Sequence, residues 1–208
     1  MSICTDQAIL RQVSRDTTIE EIERTGLAEK MFDALNGAWV QGVGIAAIQV
    51  GVPLRFAFHF VHYDESQPDK YRIDRENPVF LLNPKIIKGI NFAKFPGEAC
   101  LSVPHQKKDT MRYTDIVYTT FEDGKEIVKT AIGFEAVVIQ HEIGHMDGKL
   151  FLDHAKKEPG RNEPCLCGSG IKYKKCCELT KGKHLIKIQP QKADGPSAAD
   201  LKKAVIKP

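Results

Sequence analysis

Long apolar runs are missing from this chain of 208 residues. A membrane-spanning helix needs about 20 consecutive apolar residues, and no stretch of the sequence approaches that length. Residues 1–16 mix charged and polar side chains and lack the apolar block of a secretory signal. No segment repeats at the period of a solenoid. These absences predict a cytoplasmic protein without a membrane partner, and the 42% of hydrophobic residues suffices for a packed core.

The cysteines lack the even spacing of a disulfide framework. Of the six cysteines, four crowd together as C-x-C and C-C pairs: Cys165, Cys167, Cys176 and Cys177. This clustering is typical of a metal site in a reducing compartment. A disulfide or redox cluster is the alternative interpretation.

Charge is distributed unevenly, although the net charge is only +3. Residues 155–208 carry 13 basic and 5 acidic side chains, which leaves 17 basic and 22 acidic ones for residues 1–154. An acidic body with a basic tail predicts different partners for the two parts. The alternative is that the lysines only keep a loose tail soluble. Nothing in the sequence calls for DNA as a partner.

A histidine pair with metal-binding spacing lies in the segment QHEIGH at residues 140–145. Residues four apart share one face of a helix, so His141 and His145 can hold one ion from the same side. Glu142 follows round the helix and can reach a water beside that ion without ligating it. The alternative is a pair of core histidines with hydrogen-bond partners. The apolar residues on the same face predict a helix over about 134–146: Phe134, Val137 and Val138.

The remaining patterns, taken with two family resemblances given below, predict an α+β fold, with antiparallel β-sheets around a central HExxH helix and a small C-terminal zinc knuckle. The apolar stripe Leu27, Met31, Leu35 and Trp39 predicts a core-facing helix over about 27–39. Strands are predicted at 54–62 and 79–87, a surface loop at 63–77, and a hairpin of 116–122 with 126–132 around Asp123-Gly124. Predicted domains are a catalytic domain at 1–155, a zinc-binding motif at 160–178 and a flexible basic tail at 179–208.

Three motifs occur in a fixed order: GVGIAAIQ at 42–49, EACLS at 98–102 and QHEIGH at 140–145. Together they resemble the three signatures of the peptide deformylase family over about residues 25–154. The resemblance implies removal of the formyl group from the N-terminal formyl-methionine of nascent polypeptides. It also implies one catalytic metal, commonly Fe²⁺ with Ni²⁺, Co²⁺ or Zn²⁺ as replacements. The implied ligands are Cys100, His141 and His145.

Further roles follow from the same resemblance. Glu142 would be the general base and then the acid, while the side-chain amide of Gln49 and the backbone N–H of Leu101 would stabilise the oxyanion. Val43, Gly44 and Ala99 would border the substrate chain. A pocket for the methionine side chain would be formed by Phe134, Val137 and Val138.

Three positions depart from the family pattern. Ala99 replaces the usual glycine of the cysteine motif, and Gly144 stands where the family usually has an aspartate. That acid would orient a ligand or pair with an arginine such as Arg112. Pro96-Gly97 precedes the motif where acidic or apolar residues are usual. These departures bear on catalytic efficiency and substrate choice rather than on the ligand set.

Residues 160–177 resemble the SEC-C zinc motif. The resemblance implies that Cys165, Cys167, Cys176 and Cys177 bind one structural Zn²⁺ through four thiolates. About twenty residues cannot bury a core, so the folding of this segment would depend on the ion. By resemblance, residues 160–208 would dock on the ribosome or on a chaperone, and the lysines could also meet RNA phosphates.

Two rival functions remain open on the residues alone. A metallopeptidase or other amidase is less well supported, because HExxH peptidases usually recruit a third His or Glu rather than a cysteine. A catalytically weak, deformylase-like binding protein that docks through its zinc motif is favoured only by Ala99 and Gly144.

Overall fold

The computed structural model describes residues 2–67, 69–155, 160–165 and 170–180, and for residues 177 and 180 it describes the backbone alone. The α-helices are α1 (Gln7–Leu10), α2 (Ile19–Thr25), α3 (Leu27–Asn36) and α4 (Gly133–Met146). The strands are β1 (Gly44–Ala46), β2 (Phe56–His59), β3 (Val61–Tyr63), β4 (Tyr71–Ile73), β5 (Val79–Leu82), β6 (Lys85–Cys100), β7 (Val103–Glu122) and β8 (Lys125–Ile132). Short 3₁₀ helices cover Ala47–Val50, Phe151–His154, Tyr173–Lys175 and Cys177–Thr180. Within these ranges, no helix is long and apolar enough to cross a membrane.

All strand pairs within the sheets are antiparallel. The strand orders are β1-β2-β5, β3-β4 and β6-β7-β8, and helix α4 contacts strands from each of these sheets. This arrangement confirms the predicted α+β class with antiparallel sheets. The hairpin predicted around Asp123-Gly124 is β7-β8, and both turn residues adopt positive φ, as a two-residue hairpin turn requires.

Helix α3 ends earlier than the apolar stripe predicts. Its buried face includes Leu27, Met31 and Leu35, but Gly37 caps the helix directly after Asn36. The chain then leaves the helical path, so Trp39 no longer continues the stripe. The prediction of core packing is therefore wrong for Trp39, whose side chain is 61% exposed.

The loop predicted at 63–77 contains a strand. Residues of β4 pair with β3, and the buried Tyr71 lies against Phe134 with 4.8 Å between the ring centroids. The charged residues on either side of this short strand hid it in the sequence. The predicted strand at 54–62 is interrupted after His59 and forms β2 and the start of β3. The predicted strand at 79–87 is interrupted after Leu82, so that its first part is β5 and its last residues belong to β6.

The longest hairpin was not predicted from the sequence. Strands β6 and β7 pair along most of their length and turn through only Leu101 and Ser102. Many side chains of β6 are exposed, lysines among isoleucines, so the strand shows no regular alternation of apolar and polar residues. This hairpin matters for function because it carries Cys100 at its tip, next to α4.

His59 predicts a dependence of stability on pH. The ring is fully buried in β2, and neither ring nitrogen has a hydrogen-bond partner among the described residues. Burial, reinforced by the neighbouring His62 and Lys129 and only partly offset by a backbone group of Val61, lowers the pKa of His59 to about 3. As the pH falls, His59 therefore binds a proton near pH 6.5 in the unfolded chain, but only near pH 3 in the folded chain.

The contribution of His59 to stability is fully present above about pH 6.5 and is lost as the pH falls toward 3. For this group alone, the free energy of unfolding should fall by up to about 1.4 kcal/mol per pH unit in that window. In His59→Leu this contribution should disappear, and stability at pH 7 should be nearly unchanged because no hydrogen bond is lost. Urea unfolding between pH 4 and 7 measures both effects, with His105→Asn as an exposed-histidine control. Equal pH slopes for wild type and His59→Leu would contradict the assignment.

Candidate active site

Two segments that are distant in sequence bring three metal-ligating side chains together. Cys100 ends β6 at the hairpin turn, while His141 and His145 lie one turn apart on α4. Their ligand atoms all lie within 4.8 Å of one another, and the Cys100 Sγ is 3.2 Å from the His145 Nε2. One thiolate and two imidazoles form a suitable set for a divalent transition metal and leave a coordination position for a reactant.

The charge on Cys100 fits a metal ligand. Burial opposes ionisation of the thiol, but the neighbouring His145 and His141 rings outweigh it and hold the pKa of Cys100 well below its usual range. A thiolate is the form of cysteine that binds metal ions. The position is therefore prepared, in geometry and in charge, to hold a cation.

Glu98 fixes the orientation of one ligand. Its buried carboxylate lies 2.6 Å from the His141 Nδ1, and it accepts hydrogen bonds from Arg112 at 2.9 and 2.6 Å and from the Thr110 hydroxyl. Burial opposes its ionisation, but His141 and Arg112 outweigh burial and lower the pKa of Glu98 far below its usual value. With Nδ1 held by the carboxylate, the Nε2 of His141 is the ring nitrogen that could bind a metal ion.

Glu98 belongs to the motif at 98–102, from which no role was predicted for it. The signal that would have found it is the period of a strand: Glu98 and Cys100 are two apart and so face the same side of β6. The structure also gives Arg112 its acidic partner in Glu98, from the cysteine motif rather than from position 144.

Glu142 is a buried carboxyl group beside the ligands. Its side chain is only 3% exposed, and its Oε2 has no hydrogen-bond partner among the described residues. Burial, together with the negative charges of Cys100 and Glu98, outweighs His141 and raises the pKa of Glu142 to about 8. A methyl group at Gly44 would lie 2.7 Å from the Glu142 Oε1, so the glycine lets the backbone pass close to this carboxyl group.

The side chain of Gln49 directs its amide group toward Cys100. It lies on the 3₁₀ helix after β1, where its Oε1 accepts from the Ala46 N–H at 2.9 Å. Its Nε2 is 3.1 Å from the Ser102 hydroxyl and 3.5 Å from the Cys100 Sγ. Leu101 is buried in the turn, and a methyl group at Gly42 would lie 2.9 Å from its Cδ1.

The predicted pocket residues form one apolar cluster. Phe134, Val137 and Val138 pack with Val61, Tyr71 and Phe95, and Val43 borders them. The rings of Phe95 and Phe134 are stacked with 5.9 Å between their centroids. Ala99, by contrast, is exposed on β6, with its backbone paired to Lys107. Pro96-Gly97 occupies a bulge in β6, where Gly97 has φ of +67° and donates its N–H to Asp109 at 3.1 Å.

Gly144 should be replaceable without harm to the site. A methyl group there would meet only the Lys149 carbonyl oxygen at 3.7 Å, an ordinary contact. Glycine within a helix costs about 1 kcal/mol relative to alanine. We expect Gly144→Ala to raise the free energy of unfolding by about 1 kcal/mol and to leave metal affinity unchanged, as measured by urea unfolding and chelator competition.

Gly148 is the matched control, because the expected change in the free energy of unfolding has the opposite sign there. It follows α4 at φ of +69°, and a methyl group there would lie 2.5 Å from the Arg11 carbonyl oxygen. Gly148→Ala should therefore lower the free energy of unfolding, by more than about 1 kcal/mol. A loss of stability in Gly144→Ala as large as in Gly148→Ala would contradict the prediction.

The second predicted metal site lies only partly within the described residues. Cys165 is buried and Cys176 half-buried, and the Cys165 N–H donates to the Ile171 carbonyl at 2.8 Å. Cys167 and the side chain of Cys177 lie outside the described residues. The four-thiolate site therefore stays a prediction, and the predicted tail beyond residue 180 also lies outside them.

Comparison with known proteins finds two family matches in the chain. The family described as polypeptide deformylase matches residues 2–160, and the SEC-C motif matches residues 161–179. The peptide deformylase of Bartonella quintana is 35% identical over 161 residues, which covers 72% of this chain and 80% of the relative. That of Pelagibacter ubique is 33% identical over 151 residues, which covers 72% and 81%.

Solved structures show a similar fold. A peptide deformylase from Legionella pneumophila has a TM-score of 0.60 and 30% identity, covering 75% of this chain and 85% of its own. The Met-Ala-Ser-bound class I type b peptide deformylase from Acinetobacter baumannii has a TM-score of 0.61 and 25% identity, covering 74% and 97%. With three side chains that could hold a metal ion, a buried carboxyl group beside them and this similarity in sequence and fold, the chain belongs to the polypeptide deformylase family of metal-dependent hydrolases.

Proposed function

We propose that this chain removes the formyl group from N-terminal formyl-methionine with Cys100, His141 and His145 as ligands of one divalent metal ion. The observation that carries the proposal is the convergence of these three ligand atoms within 4.8 Å, beside the buried carboxyl group of Glu142. A metal bound there supplies a Lewis acid and a water that ionises near neutral pH. Fe²⁺ is the proposed ion, and Ni²⁺, Co²⁺ or Zn²⁺ suit the same ligands.

Glu142 moves the proton in this proposal. Its carboxylate takes a proton from the attacking water and returns it to the departing amine nitrogen, so that formate and a free amino terminus result. The burial that raises its pKa favours the return of that proton. A cation beside it favours the ionised form that begins the cycle.

Gln49 and Leu101 stabilise the negative oxygen. The Gln49 amide is fixed through its Oε1, which leaves Nε2 directed toward the side of Cys100. The backbone N–H of Leu101 is the proposed second donor. Donors fixed in advance need no reorganisation during the reaction, and each is typically worth about 10²–10³ in rate.

The apolar cluster selects methionine. Phe134, Val137 and Val138 lie on the helix that carries the histidines, about two to three turns before His145. An unbranched thioether side chain fills such a pocket well. Val43, Gly44 and Ala99 would border the peptide backbone. The Met-Ala-Ser bound to the Acinetobacter baumannii relative supports a peptide of this type as the reaction product.

A formate-release assay tests the proposal. Protein loaded with Fe²⁺ or Ni²⁺ without oxygen should release formate from formyl-Met-Ala-Ser and should not cleave Met-Ala-Ser or acetyl-Met-Ala-Ser. Cleavage of internal peptide bonds would favour a metallopeptidase, and hydrolysis of unrelated amides another amidase. Tight binding of formyl-Met-Ala-Ser with negligible formate release would favour a deformylase-like binding protein. Any of these three outcomes would overturn the proposal.

The C-terminal part is proposed to anchor the enzyme. A catalytic domain at 1–155 would be followed by a motif at 160–178 that binds one structural Zn²⁺ through four cysteines, and by a basic tail at 179–208. The SEC-C match and the excess of lysine support this division. Docking on the ribosome or a chaperone in the cytoplasm would bring the enzyme to nascent chains.

Two measurements test the C-terminal part. Metal analysis should find two ions per chain. Removal of residues 160–208 should abolish salt-sensitive co-sedimentation with ribosomes, and unchanged co-sedimentation would disprove ribosome docking.

A further inference from the structure

Arg75 lies in the loop between β4 and β5 and reaches across to residues 42–44, which are called the entry segment below because they lead into β1. Its Nη2 donates a hydrogen bond to the Gly42 carbonyl oxygen at 2.9 Å. Its guanidinium covers the ring of Phe60, with 4.9 Å between the Cζ and the ring centroid. Phe60 is buried in the core and donates its N–H to the Val43 carbonyl oxygen at 2.9 Å. Arg75 and Phe60 thus hold two successive carbonyl groups of the entry segment.

The entry segment also contacts the candidate active site. A methyl group at Gly42 would lie 2.9 Å from the Leu101 Cδ1. Two residues later, a methyl group at Gly44 would lie 2.7 Å from the Glu142 Oε1. The backbone N–H of Leu101 is a proposed oxyanion donor, and Glu142 is the proposed proton carrier. Because the backbone passes so close to both residues, a displacement of the entry segment would disturb both of them.

The stability of the fold gives no reason for an arginine at position 75. The Nε of Arg75 is buried and has no hydrogen-bond partner among the described residues. Burial lowers the pKa of the guanidinium, so its charge is partly removed from water. A buried polar group without a partner costs stability. An unbranched apolar side chain such as methionine would cover the Phe60 ring without that cost.

We propose that Arg75 is a positioning residue for the reaction, which acts by fixing the entry segment against Leu101 and Glu142. This inference rests on the proposed function and deepens it, since it adds a residue from outside the three motifs to the working site. The guanidinium suits this task because it is planar: one N–H points at the Gly42 carbonyl oxygen while the Phe60 ring supports the plane. The charge of Arg75 is thus used to hold backbone rather than to bind substrate.

The variant Arg75→Met removes the hydrogen-bond donor and keeps an unbranched side chain over the Phe60 ring. A displacement of about 1 Å can cost about 10²-fold in rate, and water replaces part of the lost hydrogen bond, so we expect kcat for formyl-Met-Ala-Ser to fall by about 10-fold. KM should change less than kcat, because the disturbed groups act on the reacting bond. The metal content and the urea midpoint should stay at the wild-type values, since the buried Nε without a partner is removed as well.

Two further substitutions make the comparison specific. Arg75→Lys keeps a charged donor and should retain most of the wild-type kcat. Arg24→Met removes an exposed guanidinium from α2, away from the entry segment, and should behave as the wild type does. Equal losses of kcat in Arg75→Met and Arg24→Met would overturn the inference.

Added guanidinium tests the same contact in another way. Arg75→Ala leaves the space of the side chain open, so guanidinium at millimolar concentration should raise its kcat in a saturable manner. The same concentration of sodium chloride should not raise it. In Arg75→Met the side chain fills that space, and guanidinium should leave its kcat unchanged.

Hydrogen exchange follows the positioning without turnover. In the full chain loaded with Ni²⁺, the amides of residues 42–44 and of Phe60 should lose protection in Arg75→Met. The amides of the β7-β8 hairpin should keep the protection that they have in the wild type. Unchanged protection of the entry segment would contradict the proposed role of Arg75.

Other results would also overturn the inference. A wild-type kcat in Arg75→Met, or a rise in KM without a fall in kcat, would show that the reacting groups do not depend on Arg75. A urea midpoint so low that the variant is partly unfolded in the assay would mean that Arg75 only supports the fold. Failure of the proposed function looks different, because the wild type would then release no formate although the difference in hydrogen exchange persisted.

Discussion

We expect Glu142→Gln to bind metal as the wild type does and to lose deformylation by about 10³-fold or more. Glutamine keeps the shape of the side chain but can neither take a proton from water nor return one to the amine. The carboxyl group is buried next to the candidate ligands, and its Oε2 has no hydrogen-bond partner among the described residues, so this oxygen is available to take the proton. Formate release, with metal content measured on the same sample, gives both quantities.

The control for this variant lies on the same helix. Glu135, in the first turn of α4, accepts a hydrogen bond from the Tyr63 N–H and is not among the groups around the ligands. Glu135→Gln should keep activity within about twofold of the wild type. A change of that size corresponds to far less than the roughly 1.4 kcal/mol in activation free energy that a tenfold loss requires. If Glu142→Gln retained turnover within tenfold of the wild type, Glu142 would not be the proton carrier.

The second large effect is expected at Glu98. Glu98→Leu removes the acceptor of His141 and leaves the Arg112 guanidinium buried without its partner, because both side chains are only 4% exposed in the ion pair. Breaking such a buried pair typically costs about 3–5 kcal/mol of stability. Loss of the group that orients a ligand typically lowers metal affinity by about 10- to 100-fold. Urea unfolding of metal-free protein and chelator competition measure the two effects separately.

A double variant distinguishes charge from orientation. In Glu98→Leu/Arg112→Leu no charge is left unpaired, so most of the lost stability should return. His141 still lacks its acceptor, so metal affinity should stay about 10- to 100-fold low. If affinity recovered together with stability, Glu98 would act only by neutralising Arg112, and its orienting role would be wrong.

The sequence predicted the elements with strong local signals. Helix α4 and the β7-β8 hairpin were found because a helical apolar stripe and an Asp-Gly turn are encoded by neighbouring residues. Strand β4 was missed because its stabilising contacts come from distant residues, such as Phe134 against Tyr71. The β6-β7 hairpin was missed because β6 lacks a regular alternation of apolar and polar residues. Trp39 was placed in the core because the stripe could not show that Gly37 ends the helix.

The sequence by itself determined the family and the chemical types of the candidate ligands, because spacing four apart on a helix and ordered motifs are local properties of the chain. Only the tertiary structure decided how these groups act on one another. It brought Cys100 to His145, gave Glu98 both His141 and Arg112, and buried Glu142 until its pKa rose to about 8. Distances, burial and charge arise between segments far apart in the chain, and they exist only once the hairpin has folded against α4.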